Sequence, residues 1–295
     1  MKNISILFTL FVLLILFSCD DKTKELVLND KYCKANWAIC SILNSKAIKN
    51  SSDERIIKIA ILDSGINDNH SALKGLVKSS YNAINDSLET QDFFGHGTAI
   101  AGIIAAKPNK ENVTGILSNV QLFDVQVLDE KGRGKIESVI KGIQWSIEQD
   151  VDIINMSFGF QNDSDLLKAA IKEALNQGIV IVAAAGNTFG LYTDYPAKYE
   201  GVLSISAIDV QLQHYSLAAT GKIDFVAPGV DIPILGEINN EHIVSGTSFA
   251  TAYATSIIAY HLSKSSNSDI FSSEVIAIKN VGNKKYNGHG MLYIP

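Results

Sequence analysis

The sequence predicts an α/β fold with a mostly parallel central sheet and helices on both faces. Apolar runs of strand length alternate with stretches of helical period along the chain, the pattern left by repeated β-α-β crossovers. The strand runs are continuously apolar and β-branched, as strands covered on both faces must be. No internal repeat or low-complexity linker breaks the alternation after about Ser52.

The elements follow in order. Ile56–Leu62 is an unbroken apolar run, save for Lys58, and reads as a doubly buried strand. Thr98–Ala106 is apolar with helical period. Val120–Leu128 is a strand, Ile136–Gln149 an amphipathic helix and Val151–Met156 a short strand. Ser164–Gln177 is a helix, with Asp163 or Ser164 as N-cap and Gly178 as its stop. Ile179–Ala184 and Val202–Ala207 are strands, and Phe249–Leu262 is a long apolar helix. Near the amino end lie Cys33 and Cys40. If Lys34–Leu43 is one helix, their Cα atoms stand about 10 Å apart at 1.5 Å rise per residue, beyond the ~7 Å a disulfide spans. Pairing therefore requires a bend, and a bridge and two thiols both stay open.

The 295 residues suffice for one large domain. Lys and Arg number 25 against 31 Asp and Glu, a net charge of −6. That acidic balance lacks the electrostatic footprint of a general nucleic-acid binder. Three Cys are too few for a disulfide-built scaffold. Ile4–Phe17 is apolar but shorter than the ~20 residues of a membrane span, and it follows Lys2, so it reads as a signal-peptide core. It ends in Leu16-Phe17-Ser18-Cys19.

Sheets of this kind bind ligands beyond the carboxyl ends of their strands, and four residues stand at such places or at helix starts. Asp63 follows Ile59–Leu62; a carboxylate there is costly unless hydrogen-bonded, although an Asp beside Gly65 is also ordinary turn chemistry. His96 lies in Gly95-His96-Gly97-Thr98, where glycines permit close backbone approach. The other histidines, His70, His214, His242, His261 and His289, read as surface or packing residues. Ser248, in Ser245-Gly246-Thr247-Ser248-Phe249-Ala250, opens an apolar helix; it is either an N-cap or a nucleophile beside the helix's unpaired N–H groups. Asn187, in Ala183-Ala184-Ala185-Gly186-Asn187, is either a turn residue or an amide donor to an oxyanion.

Together and in this order, Asp63, His96, Asn187 and Ser248 resemble the motifs of the subtilisin-like serine peptidases (subtilases), the resemblance covering nearly the whole chain after residue 30. The Asp…His…Ser order of subtilisin is itself a standard reference case. The resemblance implies a subtilisin-like three-layer fold over residues 31–295 and a serine endopeptidase working through an acyl-enzyme. It makes Asp63, His96 and Ser248 the triad and Asn187 the oxyanion-hole donor. Gly132, Arg133 and Gly134 resemble one substrate-binding strand. Ser157, Phe158 and Gly159 resemble the other. Ala184, Ala185 and Gly186 line the first pocket, which on that basis takes an apolar residue; Thr188–Tyr195 leaves the far wall unplaced. Ile136 belongs to a more distal pocket. Phe225–Gly229 and Gly288-His289-Gly290 match further family segments.

The start of the chain resembles a bacterial lipoprotein signal: residues 1–18 are the signal peptide, Cys19 the lipidated residue and 19–30 a short tether. That implies a lipid-anchored protein of the cell envelope, outside the cytoplasm. Its expected partners are a membrane and a polypeptide substrate, with trimming of an exported peptide as the expected role, and the protein is expected to be a monomer. So short a tether leaves no room for an inhibitory prodomain, and unaided folding is expected. No cofactor or catalytic metal is expected. A structural calcium is the family's habit, but His70-Ser71-Ala72 places alanine at a usual ligand position, and alanine offers no side-chain oxygen. Ala252 replaces a usual proline. Two other readings compete. Gly246-x-Ser248-x-Ala250 with Asp269 and His289 distantly resembles the nucleophile elbow of another serine hydrolase. A catalytically silent, peptide-binding lipoprotein is the second.

Overall fold

The structure, a computed structural model, describes residues 26–27, 30–43, 47–48, 55–109, 113–117, 119–239, 241–264 and 278–295. The signal segment, Cys19 and Asp269 lie outside them. Strand β1 (Leu26–Val27) pairs antiparallel with β2 (Ala47–Ile48), so part of the expected tether forms a strand. Between them lie helices α1 (Asp30–Ala35) and α2 (Trp37–Ile42). The chain breaks at the buried Asn36, whose φ of −140° is not helical. That break brings the Cα atoms of Cys33 and Cys40 to 5.6 Å, and the two are joined by a disulfide. The bend left open by the sequence is real.

The main sheet is built from β3 (Ile57–Asp63), β4 (Val77–Asn82), β5 (Val120–Gln126), β6 (Ile153–Met156), β7 (Val180–Ala184), β8 (Leu203–Ile208) and β9 (Phe225–Pro228). Interleaved helices are α3 (His96–Ala105), α4 (Ile136–Glu148) and α5 (Asp165–Asn176). A separate hairpin, β10 (Ile232–Ile238) and β11 (Glu241–Val244), precedes α6 (Thr247–Lys264). Then come β12 (Ile278–Lys279), α7 (Lys284–Asn287) and β13 (Met291–Leu292). The nine strands run in the order β12-β13-β9-β8-β7-β6-β3-β5-β4, parallel except for β12 at the edge.

One apolar cluster packs α2, α3 and α6 onto one face, and a second packs α4 and α5 onto the other. This is the expected three-layer α/β arrangement. Helix α6 is buried on nearly every side because α3 covers what the sheet does not. Ser164 caps α5, its hydroxyl accepting from the Leu167 N–H at 3.3 Å, and Gly178 ends the helix at a φ of +81°. The predicted strands and helices recur with their ends shifted by no more than two residues. Strand β4 was not foreseen: VKSSYN is polar and half-exposed because it is the sheet's last strand. Strand β3 lies between β5 and β6, so the connections leaving it go both ways, and a crevice opens beyond its carboxyl end.

Candidate active site

Asp63 is the last residue of β3 and is 1% exposed. The Ser64 N–H donates to its Oδ1 at 2.8 Å. His96, first in α3, places Nδ1 2.8 Å from Oδ1 and 3.0 Å from Oδ2 of Asp63. An ionised carboxylate only accepts, so Nδ1 carries the proton and Nε2 is left as the base. The ring lies between Phe94 and Phe249, with centroids 6.1 and 5.7 Å away. Helix α3 approaches the turn after β3 so closely that any side chain at position 97 would collide with the Gly65 carbonyl oxygen. Gly97 is therefore required for His96 to reach Asp63.

Asp92 was not singled out in the sequence, yet it organises this corner. Its Oδ1 accepts from the Ser64 hydroxyl (2.8 Å) and the Gly95 N–H (2.7 Å). Its Oδ2 accepts from the Thr98 N–H (2.8 Å) and hydroxyl (2.5 Å). The Ser64 hydroxyl in turn accepts from the Gly97 N–H at 3.0 Å. An acid just before a helix start was the available signal. Burial pushes the His96 pKa down. The charge of Asp63, the hydrogen bond to it and the charge of Asp92 push it up and win, so the imidazole sits above its ordinary value.

Ser248 lies in the first turn of α6, and its hydroxyl donates to the Ser157 carbonyl at 2.6 Å. The Ser157 hydroxyl reaches back to the Ser248 carbonyl at 3.1 Å, which ties the end of β6 to the start of α6. Asn187 follows β7. Its Oδ1 accepts from the Thr247 N–H (3.1 Å) and hydroxyl (3.3 Å), which fixes the amide plane and turns its NH2 past Gly246. The Gly186 N–H also donates to the Thr247 hydroxyl, at 3.2 Å. Thr247 is a second residue missed in the sequence, where it stands only as a neighbour of Ser248.

The segment Gly132-Arg133-Gly134 is a turn closed on itself. The Asp129 N–H donates to the Arg133 carbonyl (2.9 Å), and the guanidinium donates to Asp129 through Nε (3.1 Å) and Nη2 (2.9 Å). That bonding holds the Asp129 carboxyl at about 2. The Phe94 ring fills the space a side chain at Gly132 would take. Ser157, Phe158 and Gly159 continue from β6, with Phe158 edge-on to Phe160 at 5.9 Å. Ala184 and Ala185 are buried. Facing Gly159 and Gly186 is Asp194, from the loop the sequence left unplaced.

The other histidines stay apart from this cluster. The His70 Nδ1 accepts from the Ala72 N–H, His214 stacks on Tyr286, His242 is exposed, the His261 Nε2 faces the Tyr293 carbonyl and His289 packs on Phe225. The remote position of His289 leaves the nucleophile-elbow reading without its base. The Ala72 carbonyl accepts from the Lys107 N–H, and its methyl supplies no donor to calcium.

The profile of the Subtilase family matches residues 54–288. The minor extracellular protease Epr of Bacillus subtilis is 37% identical over 250 residues, 82% of this chain and 38% of Epr. Subtilisin DY of Bacillus licheniformis is 33% identical over 246 residues, 81% of this chain and 89% of that protein. The crystal structure of a cold adapted subtilisin-like serine proteinase superposes with a TM-score of 0.73 at 24% identity, over 87% of this chain and 97% of the other. That similarity extends the subtilisin-like fold to this chain. Family chemistry of this kind needs no cofactor. The profile match and the two bacterial relatives agree: the chain belongs to the subtilase family of serine endopeptidases.

Proposed function

We propose that the protein is an envelope-anchored serine endopeptidase using Ser248, His96 and Asp63. The observation that carries this is the buried Asp63–His96 pair at 2.8 and 3.0 Å, which leaves Nε2 basic at the mouth of the crevice. A peptide enters as an added strand between the Gly132–Gly134 and Ser157–Gly159 segments. The Ser248 hydroxyl leaves the Ser157 carbonyl, gives its proton to His96 and attacks the scissile carbonyl. Asp63 holds the imidazole in its tautomer and stabilises the imidazolium. The Asn187 amide and the Ser248 N–H receive the oxyanion at the positive end of α6. His96 then protonates the leaving amine, and water repeats the cycle on the acyl-enzyme.

The lipobox-like Leu16–Cys19 supports lipid attachment at Cys19 after loss of residues 1–18. A tethered peptidase meets polypeptides that pass its own membrane face, which favours trimming of an exported peptide. A fluorophosphonate probe should label the native protein and not Ser248→Ala. Absence of labelling in the native protein would leave the silent peptide-binding reading. Radiolabelled palmitate should enter the native chain and not Cys19→Ala; equal labelling refutes the anchor.

A further inference from the structure

We propose that Asp194 makes this peptidase selective for lysine or arginine immediately before the scissile bond; the inference rests on the peptidase reading above. The Asp194 N–H donates to the Ala185 carbonyl at 2.9 Å, which turns the side chain toward the segments that flank the first pocket. A side-chain carbon built at Gly159 would stand 2.5 Å from the Asp194 Cβ and 3.2 Å from its Oδ2. One built at Gly186 would run into Oδ2 and lie 2.9 Å from Cγ. The carboxyl therefore occupies the space between the two walls that their glycines leave empty.

Its Oδ1 is buried and has no hydrogen-bond partner. Such an atom pays its desolvation without return, and in a native structure it calls for an explanation. Burial accordingly raises the carboxyl's pKa. The nearby cations are engaged elsewhere. The Lys222 Nζ bonds Asp224 (2.6 Å) and the carbonyls of Ala197 and Val202. The Lys198 Nζ lies over the Tyr195 ring at 5.2 Å.

A guanidinium or ammonium reaching between the walls supplies both the missing donor and the opposite charge. An apolar side chain leaves Oδ1 unpaired, and a site with an unpaired buried polar group rejects such a ligand strongly. On this proposal a charge from the Thr188–Tyr195 loop gives the pocket a cationic preference in place of the apolar one expected from Ala184, Ala185 and Gly186.

The test uses two fluorogenic tetrapeptides that differ only in Arg or Phe before the scissile bond. For the native protein, kcat/KM should favour Arg at least tenfold. Asp194→Asn should lower the Arg value at least tenfold while the Phe value holds or rises, and Asp194→Ser serves as a second variant. Fluorophosphonate labelling of Ser248 reports that each variant is folded. A labelled native enzyme that prefers Phe overturns this inference and leaves the peptidase reading standing. A native protein that neither labels nor cleaves overturns both.

Discussion

Asp124 should make the protein less stable above neutral pH than in acid, and Asp124→Asn should remove that loss. Asp124 interrupts the buried strand β5, paired with Ile61 of β3 and Ser80 of β4, and is 2% exposed. Its Oδ1 has no partner. Burial raises its pKa most, Thr90 and the Ile66 backbone lower it, and the charges of Asp92 and Asp63 raise it again, to about 7. In the unfolded chain it returns to 3.8, so the folded state holds the proton more tightly. The group's contribution is therefore fully present below about pH 4 and is lost as pH rises to about 7. The difference between 3.8 and about 7, at ~1.4 kcal/mol per unit, puts the full loss on the order of 4 kcal/mol. At pH 5 the same relation gives less than half of it. The assay is urea unfolding of Ser248→Ala, which cannot digest itself, with and without Asp124→Asn, at pH 5 and pH 8. The Asn variant should gain midpoint over its parent at pH 8 and much less at pH 5. An equal difference at both pH values, or a loss at pH 8, would refute the reasoning.

Further outcomes concern the site and its frame. Asn187→Ala should lower kcat by ~10²–10³ with KM little changed, because its amide meets charge that exists only in the transition state; steady-state kinetics on one peptide decides this. Asp92→Asn should shift the acid limb of the kcat/KM profile to lower pH, since one of the charges raising the His96 pKa is removed, and should lower kcat as the Ser64, Gly95 and Thr98 bonds loosen. An unmoved limb would take Asp92 out of the electrostatics. Ser164→Ala should cost ~1 kcal/mol of stability through loss of the α5 cap and leave kinetics unchanged.

Much of the interior was legible from the chain. Ile57–Leu62 and Ile153–Met156 are apolar apart from Lys58 and Asn155 because both faces of their strands are covered, and such runs carry their own evidence. Ser164 and Gly178 mark the ends of α5 by chemistry confined to a few residues. The polar edge strand β4 was missed because exposure at the sheet's rim erases the apolar signal. The Cys33–Cys40 bridge depended on a break at Asn36 that helical period does not report.

The order and neighbourhoods of Asp63, His96, Asn187 and Ser248 were set out by the sequence alone, since each sits where a strand ends or a helix starts, and those junctions are encoded locally. Only the tertiary structure decided what surrounds them. Asp92 reaches Ser64, Thr247 reaches Asn187 across sixty positions, and Asp194 fills the gap between Gly159 and Gly186. Loop residues like these show no periodicity, and their charge acquires meaning only when folding removes the water around them.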